Sequence, residues 1–308
     1  MPGDAVPPLT VGLPNHGDYF QGAPWRALVD LAVQVEEAGL DGVSTVDHVV
    51  MGGDLSSYPY GGFPGDADAP WLDPLSVLGV IAGATERITL ATGILISPLR
   101  PPALLAKMAA TLDVLSGGRL TLGVGTGWQR AEYDAVGVDW ARRGQLFDDQ
   151  LAALHALWAE GPTNLSTETL TLADVYCYPK PVRDGGVPLW IGGKLNPRNV
   201  DRIVRWGSGW IPAPTDGAKV VAEGVATLRA ALEQAGRDPA TVRVRVSPRP
   251  VRSDDGVLDV EASLRGATRL LESGGTDLFV LLQTWCPDAA QAPAFLRELA
   301  AAKAQVEQ

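Results

Sequence analysis

Cysteine is nearly missing from this 308-residue chain: Cys177 and Cys286 are the only two. That is too few for a disulfide framework, and neither lies in a CxxC pair. Histidine is almost as scarce, with His16, His48 and His155 and no HxxH or HExxH spacing, so no zinc site is expected. Positive charge is in deficit: 25 Lys and Arg face 36 Asp and Glu, a formal charge of −11. Such a balance argues against nucleic acid as a partner, which calls for a basic stripe. No apolar run approaches the roughly 18 residues of a membrane span. The stretch Met1 to Leu9 has neither the basic start nor the apolar run of a leader, so a cytoplasmic protein with no membrane partner is expected. What is present is apolar residue, 46% of the chain, enough to bury a sizeable core and to exclude disorder.

The apolar residues come in a repeating order. Short strand-like runs at 9–14, 41–46, 87–96, 119–125, 188–193, 209–212, 242–248 and 277–282 alternate with amphipathic stretches. Helices are expected over 24–38, 74–85, 101–115, within 129–158, over 197–206, 217–235 and 260–273, and from about 289. Gly39 stands where a C′ glycine would end the first. Eight strands each followed by helix demand a parallel sheet covered by helices, and in about 300 residues this fits a closed (β/α)8 TIM barrel. Gly and Pro are spread along the chain, and no composition shift marks a boundary, so 1–308 reads as one domain. The stretch 161–181, containing TETLTLADVYCYPKP, breaks the rhythm and alternates like a small hairpin inserted before the fifth strand.

In such a barrel the site is built at the C-terminal ends of the strands. Those ends supply Asn15 and His16, Asp47 and His48, Thr92 to Ser97, Gly125 to Trp128, Gly192 to Lys194, Trp210, Ser247 and Arg249, and Gln283 to Trp285. This set is aromatic, glycine-rich and amide-bearing, without the carboxylate clusters of a metal hydrolase. Glycines beside tryptophans suit a flat aromatic cofactor approached closely by backbone, although glycines there also serve plain turns.

Familiar motifs fail on count. GVGTGW at 123–128 has its third glycine one position early for GxGxxG, so a dinucleotide fold is poorly supported. Gly42 to Val46 lacks the last glycine of a nucleophile elbow, and Gly193-Lys194 lacks the upstream glycine of a P-loop. Gly192 and Gly193 follow a strand and precede a helix. Their N–H groups and the helix start would favour a phosphate, with Lys194 or Arg198 near; the same spacing also serves an ordinary turn with a surface lysine.

Three long stretches, DGVSTVDHVV (41–50), RITLATGILISPLRPPALLAKMAATLDVLSGGRLTLGVGTGW (87–128) and PLWIGGKLNPRNVDRIVRWGSGWIP (188–212), resemble the bacterial luciferase-like monooxygenase family. With the continuation AEYDAVGVDWARRGQLFDD, the likeness runs in order over nearly the whole chain and is greatest to the branch dependent on coenzyme F420. The resemblance implies a (β/α)8 barrel binding F420 or, alternatively, FMN. It thereby implies a deazaflavin-dependent hydride-transfer oxidoreductase acting on a small ketone, alcohol or enone, an FMNH2-dependent monooxygenase, or a flavin-binding protein without turnover. It places Asp47 and His48 beside the ring, His48 and His16 as proton-transfer groups, and Asp47 as an orienting or cofactor-contacting group. It also implies a non-prolyl cis peptide at Gly93-Ile94, with Thr92, Gly93 and Ile94 backing the ring. Gly125, Gly127, Ile191, Gly192, Gly193 and Lys194 would complete the cofactor site, with Trp128, Trp210 and Trp285 as walls. Arg100, Arg130 and Lys194 would offset the acidic field for an anionic cofactor tail. The family's habit implies a homodimer. One departure stands out: some sugar dehydrogenases of the family carry an acid directly after the fourth-strand glycines, where this chain has Thr126-Gly127-Trp128. Glu132, further on, is not taken as its equivalent. A sugar phosphate is therefore not expected, and Trp128 suggests an apolar or aromatic wall.

Overall fold

A computed structural model describes residues 6–305. The ends of the chain, including Met1 to Ala5 of the stretch read for a leader, lie outside the described residues. Eight parallel strands close into a barrel: β1 Leu9–Gly12, β2 Gly42–Thr45, β3 Thr89–Ile96, β4 Leu120–Gly125, β5 Leu189–Gly192, β6 Gly209–Ile211, β7 Arg243–Val246 and β8 Asp277–Leu281. Each pairs with its sequence neighbours, and β1 closes the ring on β8 through Leu9↔Leu278 to Gly12↔Leu281. The expected (β/α)8 TIM barrel is the fold.

Local chemistry explains the element ends. Helix Arg26–Glu37 buries Leu28, Leu31, Ala32 and Val35. It stops where Gly39 takes a φ of +83° and the Leu40 N–H reaches back to the Val35 carbonyl, a closure that glycine permits without a Cβ clash. Helix Pro74–Ala84 starts with Asp73 accepting from the Ser76 N–H at 2.8 Å, and helix Pro197–Trp206 with Asn196 accepting from Asn199; proline at the first helical position suits both. The helical material after β4 is two helices, Arg130–Ala135 and Arg143–Trp158, separated by a turn in which Gly137 has a φ of +73°. The helix expected over 260–273 is likewise divided, into Val260–Arg265 and Thr268–Glu272. The last long helix, Ala292–Lys303, begins after a short 3-10 turn. The interruption at 161–181 is an antiparallel hairpin of Thr163–Ser166 and Thr171–Val175.

Inside the barrel, glycine replaces bulk at several layers. A Cβ on Gly12 would meet Phe279, one on Gly93 would meet Ser44 and Arg245, and one on Gly209 would meet the Trp190 ring. These contacts identify the inward-facing residues, and the two-residue period of a strand sends their neighbours outward. Val43, Leu90, Leu122, Val124 and Ile191 accordingly sit in the apolar core shared with the helices. Among the described residues, no helix is long and apolar enough to cross a membrane.

Candidate active site

The centre of the C-terminal mouth is His48, just past the end of β2. Its Nδ1 lies 3.0 Å from Glu132 Oε2, and the Val49 N–H donates to Glu132 Oε1 at 3.0 Å. Glu132 comes from the helix after β4 and is fully buried. A carboxylate accepts and does not donate, so Nδ1 carries the proton and Nε2 is left as the basic nitrogen. Nε2 makes no hydrogen bond to the described residues. Around the imidazole stand the edges and faces of three rings: Trp71 at 4.6 Å, Trp128 at 5.8 Å and Phe63 at 6.2 Å between centroids.

Trp71 and Phe63 belong to the long loop between β2 and helix Pro74–Ala84, and Asn15 fixes that loop. Its buried amide Nδ2 donates to the Val46 and Leu72 carbonyls at 2.8 and 3.0 Å, while Oδ1 accepts from the Val46 N–H. One side chain thus ties the ends of β1 and β2 to the returning loop. His16 stacks flat on Trp71, centroids 4.1 Å apart and planes 8° from parallel. Burial pushes its pKa down to about 4, with the nearby His48 adding to the effect, so His16 is neutral at neutral pH. Its Nε2 lies 3.2 Å from the Gln283 amide nitrogen at the end of β8. A cavity of about 210 Å³ opens between His16, Tyr19, Pro64 and Gln283.

Asp47 is engaged by β3 and Arg100 and makes no hydrogen bond to either histidine. Both of its oxygens take the Arg100 guanidinium, at 2.6 and 3.0 Å, and Oδ2 also accepts the Ile96 N–H at 2.9 Å. Arg100 reaches on to Asp73 at 2.9 Å. The rim charge expected of Arg100 is therefore spent inside the protein, and Asp47 pins the end of β3. Arg130 is exposed and pairs with Asp134. Lys194 is exposed, and its ammonium makes no hydrogen bond to the described residues.

At β3 the peptide bond Gly93-Ile94 is cis, and the pairing with β4 slips between Thr92 and Leu95. Thr92 donates its hydroxyl to the Gly123 carbonyl at 2.7 Å. Ile94 packs beside Ile96, Leu99 and Tyr133 and against glycines of β4 and β5. A Cβ on Gly192 would fall 2.6 Å from Ile94 Cγ2, and one on Gly125 3.2 Å from Ile94 Cδ1. Gly127, at φ +64°, packs on Ile96 and precedes Trp128. Gly193, at φ +102°, donates its N–H to the Ile211 carbonyl, so that donor is not left for a phosphate. The nearby Arg198 is held by Asp148 and Gln145.

The structure gathers His48, His16 and Trp128 around Trp71, and packs Ile94 with Gly125 and Gly192, with Gly93 and Gly127 beside them, at the ends of β3, β4 and β5; Thr92 is buried, its hydroxyl spent on the Gly123 carbonyl. It does not bring Ile191, Trp210 and Trp285 to the mouth. Ile191 and Trp210 are buried in the outer core, the latter against Gly224 of helix Ala218–Gln234, and Trp285 packs near Phe295. Reasoning from the sequence missed Glu132 as the partner of His48, and missed Trp71, Phe63 and Arg245. A second cavity, about 330 Å³, lies at the opposite end beside Arg183 and Arg237. Both arginines donate to main-chain carbonyls there, a stapling role remote from the mouth.

The profile of the luciferase-like monooxygenase family matches residues 10–302, and the chain belongs to that family. It is 36% identical over 194 residues to an uncharacterized protein of Mycobacterium tuberculosis, covering 60% of this chain and 68% of that one. It is 32% identical over 230 residues to the F420-dependent glucose-6-phosphate dehydrogenase of Beutenbergia cavernae, covering 73% of this chain and 62% of that enzyme. Less than two thirds of the dehydrogenase's length is thus spanned. Among solved structures, monooxygenase RslO1 from Streptomyces bottropensis superposes with a TM-score of 0.78 over 96% of this chain and 98% of that one, at 18% identity, a likeness of fold alone.

Proposed function

We propose that this protein is an oxidoreductase that uses coenzyme F420 to move a hydride to or from a small carbonyl compound or the corresponding alcohol. The observation that carries the reading is the His48–Glu132 pair, buried in an aromatic box at the barrel mouth. The 32% identity to a dehydrogenase named for F420 supports the choice of carrier.

The residues present fit a flat ring with polar edges. Gly125 and Gly192 leave the room that the Ile94 side chain takes, so the bulge of β3 lies close against β4 and β5. Buried polar atoms of Ser44, Gln283 and Arg245 have no partner among the described residues, and burial without a partner is costly unless a ligand or water supplies one. Lys194 would meet the anionic tail at the rim. A reduced deazaflavin held by these residues would supply the hydride. The protein supplies position and a proton. Glu132 holds His48 so that Nε2 exchanges it: neutral Nε2 accepts a proton from an alcohol, and charged His48, stabilised by Glu132, returns one to a carbonyl oxygen. Trp71, Phe63 and Trp128 exclude water and favour an apolar substrate, in keeping with the absence of an acid at Thr126.

The test is fluorescence titration of the purified protein with F420 and with FMN at fixed salt. Micromolar or tighter binding of F420 with negligible FMN binding is expected, followed by anaerobic turnover of ketones or enones. Preference for FMN would overturn the reading and direct the search to oxygen-consuming reactions.

A further inference from the structure

Arg245 of β7 is 4% exposed, yet its Nε and Nη1 have no hydrogen-bond partner among the described residues. A buried guanidinium ordinarily faces a carboxylate. The carboxylate nearest in register, Asp277 of β8, is already engaged by Arg243 at 2.8 Å and by the Thr276 hydroxyl at 2.6 Å. The faces of Trp190 and Phe279 lie 5.0 and 5.5 Å from the guanidinium carbon, and they stabilise a cation without consuming its N–H donors. Burial draws the pKa down only to about 10, with Asp277 opposing the fall, so the group is charged at neutral pH.

The position of this charge suggests its use. It lies beneath Gly93: a Cβ there would sit 3.2 Å from Arg245 Nη1 and 2.6 Å from Ser44 Oγ, a hydroxyl that is itself buried and unpartnered. Any side chain at Gly93 would cover both atoms. Two orphaned donors therefore meet the inner side of the cis bulge on which the proposed ring would rest. Deazaflavins and flavins share a pyrimidinedione ring that gathers negative charge on two-electron reduction, and protein charge near that ring tunes it.

We propose that Arg245, supported by Ser44, is the internal cation of the site, stabilising the reduced ring over the oxidised one and so setting the potential of the bound cofactor. This inference rests on the cofactor reading above, but holds for either ring. No covalent step is involved; the cation acts on a charge that two electrons and a proton have already delivered.

The experiment measures dissociation constants of the full-length protein for the oxidised and the reduced cofactor, anaerobically, in the parent and in Arg245→Met. Loss of the charge is expected to weaken binding of the reduced form at least tenfold more than that of the oxidised form. For a two-electron couple this is a fall in potential of about 30 mV. Arg245→Lys, which keeps the charge, is expected to stay within threefold of the parent ratio. A merely structural arginine would lower the melting temperature and weaken both forms alike. A ratio changed less than twofold in Arg245→Met overturns the inference and leaves the cofactor reading intact. If Arg245→Met does not fold, Arg245→Gln is judged by the same ratio. Failure of the parent protein to bind either ring would instead withdraw the cofactor reading, and this inference with it.

Discussion

Glu132→Gln isolates the role of the carboxylate beneath His48. Glu132 is fully buried, and both of its oxygens are occupied, one by the Val49 N–H and one by His48 Nδ1, each at 3.0 Å. Glutamine fits the same space. Its carbonyl oxygen keeps the Val49 bond, which leaves its NH2 group facing Nδ1. Two donors cannot share one bond, so the imidazole must move its proton to Nε2 and accept at Nδ1. The hydrogen bond also loses its charge, worth about 1–2 kcal/mol from the difference between charged and neutral pairs. With Nε2 protonated, the variant has no basic nitrogen to offer an alcohol, and the contribution of general acid–base catalysis, about 10²–10⁴-fold, is exposed to loss. The expected result is kcat reduced by about 10² or more, KM within about threefold, and cofactor affinity unchanged. Nitrogen-15 spectra of the histidine rings would show the tautomer directly, and with three histidines in the chain assignment is tractable. If the spectra report the swapped tautomer while kcat falls less than threefold, His48 is not the proton-exchanging group. If Nδ1 remains protonated, the geometry of the pair is misjudged.

Three further outcomes follow from the same structure. The half-buried His16, its pKa lowered to about 4, binds fewer protons folded than unfolded between pH 4 and 6.5. Stability therefore rises with pH across that window and is lost on acidification, by on the order of 3 kcal/mol; urea melts of the parent and His16→Gln should diverge there, and parallel curves would refute the assignment. Gly192→Ala places a methyl 2.6 Å from Ile94 Cγ2, a branch that cannot swing clear. A loss of about 1–3 kcal/mol in thermal melts is expected, with weakened cofactor binding. Asp47→Ala strands Arg100 with Asp73 alone and frees the Ile96 N–H; a cost of about 3–5 kcal/mol is expected by chemical denaturation, and an unchanged midpoint would argue against the pinning of β3.

The barrel was legible because periodicity is local: each strand and helix announces itself within a dozen residues. His48 was legible for the same reason, as a polar residue just beyond a strand. Its partner was not. Glu132 lies 84 positions away, and its approach depends on how two βα loops settle against each other. The tryptophans separated along another line. Gly209 and Ile211 face the barrel interior, so Trp210 between them must face the helices, a consequence of the two-residue period that reading Trp210 as a strand-end residue overlooked. Ile191 is displaced from the site by the same alternation, between Trp190 and Gly192. Arg245 was hidden differently: within VRVRVSP it looks like one more solvated arginine, and only closure of the barrel turns it inward.

The carboxylate beneath His48 stands on the third residue of a six-residue helix, Arg130–Ala135, and its bearing is therefore a matter of phase. Each residue inserted or removed between Trp128 and Glu132 turns the helix by about 100° relative to the strand that launches it. A relative one residue longer or shorter here would point that acid at solvent or into the core, whatever its identity elsewhere. In this chain the length of the junction, as much as the identity of residue 132, thus sets whether the acid meets His48.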